Sequence, residues 1–410
     1  MKIRKLFNKY MTLFGILAPA PIISLFSKTA YVYFLIITVF IILIYSMNSK
    51  FICRKNFDKY YIIYTICVLL SSFICLVRMP SEWTSDVVGL IIQFICVFII
   101  YLWFDKTENF DLSYSFVKGV YISAIVQMIW GYLQLFFNRY GIDLNLLVFD
   151  KILHMFEGEA TNHTIDGGIK ISGFCWNSGN FAPLMLIGYL LSNKPIVRIA
   201  FVLVSLLSGS RTLIVGIFVC VILKNFYLLK GKLKITKKKI IFWNIIFFLL
   251  MIVIINYFSQ IQLIISNLIA SLNVISNYKS EGSTNTHIMY IIRTLDIIRN
   301  NSFLTNMFGY GPRCSGYAFV SHYNFYSGIG KWCVECDYVN VLWNYGILGF
   351  VFYYSWFISN IVKYKGNYLR TIFFITISVM GIMYNVTFSW VQLFLIFIFC
   401  LNKNNIDIFE

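Results

Sequence analysis

Apolar and polar residues follow one another along this chain in long blocks. Continuous apolar runs of roughly 17 to 25 residues recur throughout, and shorter polar segments separate most of them. Inside a bilayer only helices and closed barrels pair every backbone polar group, and continuous rather than alternating runs indicate helices. The pattern predicts an all-α polytopic integral membrane protein, with helices at roughly 11–27, 31–48, 60–77, 86–104, 113–137, 179–193, 196–208, 211–229, 240–257, 337–361, 371–384 and 388–401.

Composition supports this interpretation. Of 410 residues, 59% are hydrophobic and 12% are charged, whereas soluble domains carry about 25% charged residues. The net charge of +17 arises from short basic clusters between apolar runs, which is typical of topology signals and not of a nucleic-acid surface. We therefore expect membrane lipids and no nucleic acid as partners. The basic residues at positions 2–9 are interpreted as a cytoplasmic anchor.

The apolar run from about 196 to 223 contains Arg211 near its middle, so it is either one helix or two. An arginine at the centre of a membrane helix costs about 2.5 to 3.5 kcal/mol on insertion scales. A single helix would also place the basic stretch 230–239 outside, against the positive-inside rule. Both arguments favour two helices joined by a tight turn at 208–210. The chain then forms one membrane domain, 1–410, with about twelve transmembrane helices and both termini in the cytoplasm.

The same topology predicts two long extracytoplasmic loops, at 138–178 and 258–336. The second has about 80 residues and is expected to be partly helical, since loops this long are usually functional or disordered. Within it we predict an amphipathic helix with Arg293 on the side opposite its apolar face. That face comprises Ile288, Ile291, Ile292, Leu295 and Ile298.

Arginines of these outer segments are candidate phosphate ligands. Guanidinium is rigid, always charged and able to bind phosphate through two hydrogen bonds. The alternative is that some of these side chains snorkel or pair with nearby carboxylates. The candidates for binding a lipid-linked pyrophosphate are Arg211, Arg293, Arg299 and Arg313.

Three residues are candidate general bases: Glu335, Asp337 and His287. The two carboxylates immediately precede a predicted membrane helix, where poor hydration favours action as a base. For Asp337 the alternative is a helix N-cap. His287 begins the helix that carries Arg293, although a lone exterior histidine is usually a surface residue.

Cysteine spacing predicts a structural disulfide and no redox chemistry. Cys333 and Cys336 form a C-x-x-C without a βαβ pattern, and a disulfide outside the cytoplasm, with Cys314 as a further partner, explains it better. Four cysteines, Cys175, Cys314, Cys333 and Cys336, lie in the predicted outer segments and allow three full pairings, so the pairing stays open. Neither a zinc spacing nor a divalent-metal motif occurs among the histidines and acidic residues, so no metal and no cofactor are expected.

Three stretches of the outer segments form a pattern: the turn Ser208-Gly-Ser-Arg211, the tripeptide Gly309-Tyr-Gly311, and Asp337-Tyr-Val-Asn-Val-Leu-Trp-Asn-Tyr-Gly-Ile-Leu-Gly349. Together they resemble the bacterial O-antigen polymerase and O-antigen ligase superfamily. Their order, spacing and shared sidedness carry the resemblance, which covers roughly residues 170 to 355. The family's ligases have a His-Asn pair where this chain has Glu335 and Cys336, and this departure favours a Wzy-type polymerase.

The resemblance implies a metal-independent glycosyltransferase with a GT-C-like membrane fold. Its substrates would be undecaprenyl-pyrophosphate-linked repeat units, with Arg211 and Arg293 on the donor pyrophosphate. A chain-length regulator would be a possible partner. The implied location is the bacterial inner membrane, with the active site facing the periplasm. The alternatives are an O-antigen ligase and a lipid-linked oligosaccharide flippase.

Overall fold

A computed structural model describes residues 2–19, 28–48, 59–78, 85–106, 110–152, 171–174, 178–230, 282–312, 334, 336–363 and 368–384. Across these ranges the regular structure is helical and contains no strand. The predicted helices at 240–257 and 388–401 lie outside the described residues.

The described helices begin and end close to the predicted boundaries in most cases. A single π-helical turn, Leu146–Ile152, follows the fifth helix. The α-helices are α1 (Lys2–Leu17), α2 (Lys28–Asn48), α3 (Lys59–Arg78), α4 (Ser85–Lys106), α5 (Phe110–Asn138), α6 (Ser178–Leu191), α7 (Pro195–Leu206), α8 (Arg211–Lys230), α9 (Gly282–Asn300), α10 (Phe303–Phe308), α11 (Asp337–Lys363) and α12 (Tyr368–Met383).

Among the described helices, four are long and apolar enough to cross a membrane. Their apolar spans are Ala30–Met47, Lys59–Val77, Tyr114–Asn138 and Asp337–Val362. Several further helices, including α6, α7, α8 and α12, are apolar but shorter. The described part of the chain therefore has the fold of a helical membrane-embedded protein.

The first helix differs from the prediction. The sequence suggested a basic anchor followed by a helix from about residue 11, but α1 begins at Lys2, so the basic residues belong to the helix itself. Its buried face is made by Phe7, Met11 and Phe14. Tertiary packing explains the longer helix, because the Phe7 ring in the basic first turns stacks on Tyr45 of α2 at 3.9 Å and lies 5.7 Å from the Trp103 ring of α4.

Aromatic side chains join α3 to the second half of α11. The Tyr61 ring lies 4.7 Å from the Trp356 ring, and the Tyr64 ring lies 4.8 Å from that of Tyr353. All four residues are buried. Such ring pairs stabilise a helix contact beyond the area that they bury, so α3 and α11 form a rigid pair.

Helices α6, α7, α8 and α12 define two ends of the bundle. Helices α8 and α12 pack antiparallel. Gly216 of α8 faces Met380 of α12, and the Tyr227 ring of α8 lies 6.4 Å from the Tyr368 ring of α12. Consequently α8 begins at the end where α12 finishes, and we call this the Arg211 end. At the opposite end α6 leads into α7 through residues 192–194.

Replacing Gly119 by valine is expected to destabilise the protein. A Cβ at Gly119 would overlap the backbone carbonyl of Thr12 on α1, which no rotamer change relieves. Overpacking of this kind costs about 1 to 3 kcal/mol. The measurement is the midpoint of thermal unfolding of the detergent-solubilised protein.

The matched control is Gly89→Val on α4. There the nearest atom to an added Cβ is Val32 Cγ2, at 4.0 Å. Equal midpoints for the two variants would contradict the close crossing of α1 and α5.

Candidate active site

The turn that precedes Arg211 is built as the sequence predicted. Helix α7 ends at Leu206 and α8 begins at Arg211, which confirms two helices in place of one. Gly209 has φ +67°, a left-handed conformation that favours glycine. The Ser210 hydroxyl accepts a hydrogen bond from the Leu213 amide at 3.4 Å, so Ser210 caps α8. Arg211 therefore occupies the first turn of α8, and its side chain lies outside the described residues.

A second segment of the chain holds this turn in place. The Ile171 amide donates to the Ser208 carbonyl at 2.9 Å. Residues 171–174 are in turn bound to α5, where Gln134 accepts from the Gly173 amide at 2.9 Å and Gln127 accepts from the Phe174 amide at 2.6 Å. Glutamine side chains thus replace backbone partners for a buried irregular segment. Sequence analysis missed both glutamines, although two polar residues in an apolar helix were a visible signal.

Asn145 extends this polar network toward the π-helical turn. Its side-chain amide donates to the Ser172 hydroxyl at 3.1 Å and to the Gly173 carbonyl at 3.0 Å, and its oxygen accepts from Trp130 at 2.8 Å. The Trp130 ring also stacks on Phe174, with centroids 4.4 Å apart. The part of the predicted loop 138–178 that the structure describes is therefore a fixed support for the Arg211 turn.

Helix α11 is broken at Gly346, which has φ +67° and ψ −171°. Carbonyls in the turn before such a break lose their regular helical partners. Here Trp343 accepts from the Tyr310 amide at 3.1 Å, and Asn344 accepts from the Gly311 amide at 2.8 Å. The Asn344 carbonyl also accepts from the Ser71 hydroxyl of α3 at 2.6 Å. Two of the three stretches that carry the family resemblance are thus in direct contact.

Asp337 lies at the start of α11 with only 2% of its surface exposed. The Cys336 carbonyl accepts from the Asn340 amide at 2.9 Å, so Cys336 occupies the N-cap position and Asp337 the first turn. The prediction of Asp337 as a possible N-cap is therefore wrong, although its charge still suits the helix dipole. Tyr64 and Tyr354 lie close enough to Asp337 to interact with it electrostatically.

The Asp337 carboxylate packs against α12. Its Oδ2 atom lies 2.9 Å from the position that a Cβ of Gly381 would occupy. Gly381 directly follows Met380, which faces Gly216, so Asp337 packs close to the level of Gly216, five residues from Arg211 and at the Arg211 end of the bundle. An axial rise of 1.5 Å per residue separates Arg211 from Gly216 by about 7.5 Å. The prediction that the turn at 208–211 and the stretch beginning at Asp337 lie on the same side of the membrane is consistent with this register.

Helix α9 packs on the start of α11 through a stripe that coincides only in part with the predicted apolar face, from which Ile291 and Ile298 pack against it. Tyr290 and Ile297 join Val334, Cys336, Val339 and Trp343 in one buried cluster. The predicted apolar face is wrong in part, since Ile292 is 54% and Leu295 is 44% exposed. The contact with α11 decides which stripe is buried. Arg293 is half-buried and flanks this stripe, so it does not lie opposite the packed face.

The structure describes the remaining predicted site residues less fully. Arg299 is exposed in the last turn of α9, where a cation also suits the helix dipole. His287 belongs to α9, and its side chain lies outside the described residues. Arg313 and Glu335 lie outside them as well. Val334 and Cys336, which flank Glu335 in the chain, are both buried against α9.

Cys336 carries a free thiol, 7% exposed. The predicted disulfide at this position is therefore wrong, and its apolar contacts with α9 explain the burial. Cys314 and Cys333 lie outside the described residues. In the described part of the chain, no three histidine, cysteine or acidic side chains are grouped so as to hold a metal ion.

Comparison with known proteins adds no further constraint. No protein-family model matches the chain, and no curated protein matches it.

Replacing Gly346 by alanine should destabilise the protein more than replacing Gly141 by alanine. Both glycines are left-handed, with φ +67° and +72°, and this conformation costs a non-glycine residue about 1 to 2 kcal/mol. A Cβ at Gly346 would also overlap the Met307 carbonyl, whereas nothing lies within 4 Å of one at Gly141. Thermal unfolding of both variants measures the difference, and a larger loss for Gly141→Ala would contradict the packed helix break.

Maleimide should modify Cys336 slowly in the native protein. Burial raises the pKa of the Cys336 thiol, so the reactive thiolate is scarce at neutral pH. Peptide mass spectrometry after brief labelling should find Cys336 unmodified in the native protein and modified after denaturation. A disulfide-linked peptide containing Cys336 would contradict the free thiol.

Proposed function

We propose that the protein is an O-antigen or capsular polysaccharide polymerase. It transfers a growing glycan from undecaprenyl pyrophosphate onto the terminal sugar of a lipid-linked repeat unit. The observation that carries the proposal is the contact of Gly309–Gly311 with Asp337–Gly349. These stretches of the family resemblance are separated in sequence, yet they meet at the helix break.

The proposed reaction is a direct displacement at the anomeric carbon. The acceptor hydroxyl oxygen forms the new glycosidic bond while the bond from that carbon to the pyrophosphate oxygen breaks. The hydroxyl proton passes to a general base, and undecaprenyl pyrophosphate departs with its charge. Inversion of the anomeric centre is the expected stereochemistry.

Guanidinium groups would stabilise the departing pyrophosphate in this reaction. Arg211 and Arg293 are the first candidates, because fixed cations lower the energy of developing negative charge. The half-buried position of Arg293 beside the start of α11 supports its role. Arg299 and Arg313 are proposed as additional contacts, and Arg299 has the weaker case because it is exposed.

The general base is proposed to be Glu335, Asp337 or His287. Asp337 is supported by its position at the Arg211 end, next to Gly381. Its burial means that the acceptor would have to reach it through a rearrangement of the site. Glu335 is supported by its neighbours, Val334 and Cys336, which pack on the helix that carries Arg293.

Arg211→Ala and Arg293→Ala should each abolish long polymer without preventing membrane insertion. The reason is the loss of charge stabilisation, for which a single well-placed donor typically contributes about a hundredfold in rate. Gel profiles of surface polysaccharide from a deletion strain complemented with each variant measure this, with immunoblots for protein level.

Arg139→Ala is the matched control, because Arg139 is exposed in the turn after α5 and has no proposed role. Glu335→Gln, Asp337→Asn and His287→Gln in the same strain identify the base, since only its loss should prevent polymerisation. Normal chain lengths in both arginine variants would refute the pyrophosphate assignment.

A lipid-linked oligosaccharide flippase is the second candidate. Broken helices and buried charges are typical of transporters, and α11 is broken while Arg370 of α12 is fully buried. The deletion strain separates the possibilities. Loss of a polymerase leaves single-repeat product, loss of a ligase leaves polymer on its carrier lipid, and loss of a flippase leaves neither.

A further inference from the structure

Three helices bring two cations and a tyrosine together at the end of the bundle opposite Arg211. Lys224, near the end of α8, is 3% exposed, and its Nζ lies 4.7 Å from the ring centroid of Tyr189 at the end of α6. Arg198, in the first turns of α7, lies close enough to interact electrostatically with both. We call Tyr189, Arg198 and Lys224 the basic cluster.

The basic cluster has no carboxylate to balance it in its own helices. Residues 178–230 and α12 contain no Asp or Glu. The Lys224 ammonium has no hydrogen-bond partner in the described part of the chain, and it interacts there with the Tyr189 ring and, electrostatically, with Cys220. A buried charge is costly unless it is paired and hydrogen-bonded. Two neighbouring cations for which residues 178–230 and α12 supply no carboxylate therefore point to an anion that binds between them.

The start of α7 adds donors to the same place. Its N-cap residue, Lys194, has an extended backbone and makes no side-chain cap, and Pro195 follows at the first helical position. The early amides of such a helix point outward and favour an anion. Arg198 donates to the Ser192 carbonyl and, at 3.4 Å, to Asn193 Oδ1, so its guanidinium lies back over this turn.

We propose that the basic cluster and the start of α7 bind a phosphate group. Guanidinium, ammonium and helix amides are the three donors that phosphate sites combine. The long Lys224 stem lets its ammonium turn from the Tyr189 ring toward the phosphate. A phospholipid head group fits if this end of the bundle faces the anionic cytoplasmic leaflet, as the charge pattern predicts. The alternative source of the same chemistry is a soluble phosphate or pyrophosphate.

The proposal is independent of the polymerase assignment, because it concerns the other end of the bundle. Native mass spectrometry of the full-length protein, with phosphatidylglycerol or phosphatidylcholine added, tests the lipid source. Thermal unfolding with inorganic phosphate or pyrophosphate tests the soluble source. The variants are Lys224→Met, which keeps the side-chain length, and Arg198→Gln. Lys118→Met is the matched control, since Lys118 is an exposed lysine on α5, predicted to lie near the cytoplasmic side.

We expect the wild type and Lys118→Met to retain phosphatidylglycerol over phosphatidylcholine, with about tenfold weaker retention in the other two variants. If phosphate or pyrophosphate stabilises the wild type and Lys118→Met but neither cluster variant, the site is also supported. In that case its ligand is a soluble anion. The proposal is overturned if the wild type responds to none of the probes, or if either cluster variant responds as the wild type does. Should Lys224→Met fail to fold, Arg198→Gln decides, because Arg198 is only half-buried.

Discussion

A helix inside an apolar bundle can break only where other groups take over the hydrogen bonds of its freed carbonyls. Gly346 breaks α11 in this protein, and amides from Tyr310 and Gly311 together with the Ser71 hydroxyl supply those bonds. A buried carbonyl left without a partner would cost about 1 to 3 kcal/mol. The break therefore ties α3, the segment after α10 and the first half of α11 into one unit. The positions of Asp337 and of α9 depend on that unit.

The candidate site is assembled at the Arg211 end by parts that are distant in the chain. Ser210 caps α8, the segment 171–174 supports the turn before it, and Gly381 makes room for the Asp337 carboxylate. Most of these parts are held by hydrogen bonds between backbone and polar side chains. Such bonds fix orientation more strictly than apolar packing does, which is what a site for a charged leaving group requires.

The two ends of the bundle use positive charge differently. At the Arg211 end, Arg293 is half-buried on the helix that packs against the start of α11, where the buried carboxylate of Asp337 lies. At the opposite end Lys224 and Arg198 lie among helices without carboxylates, an arrangement suited to holding an anion. The polymerase that we propose, with a phosphate group bound at the opposite end, would use both arrangements.

The amino-acid sequence by itself determined the helical membrane class, most helix boundaries and the division at 208–210, because these depend on local hydropathy and on the cost of one buried arginine. It also identified Arg211 and Asp337 as candidate site residues from their residue types and positions. Only the tertiary structure decided the break at Gly346 with its partners on α3 and after α10, and the buried stripe of α9. It also decided the free thiol of Cys336 and the polar support from Gln127 and Gln134. Each of these depends on which distant segment supplies a contact, and no periodicity within a single helix records that choice.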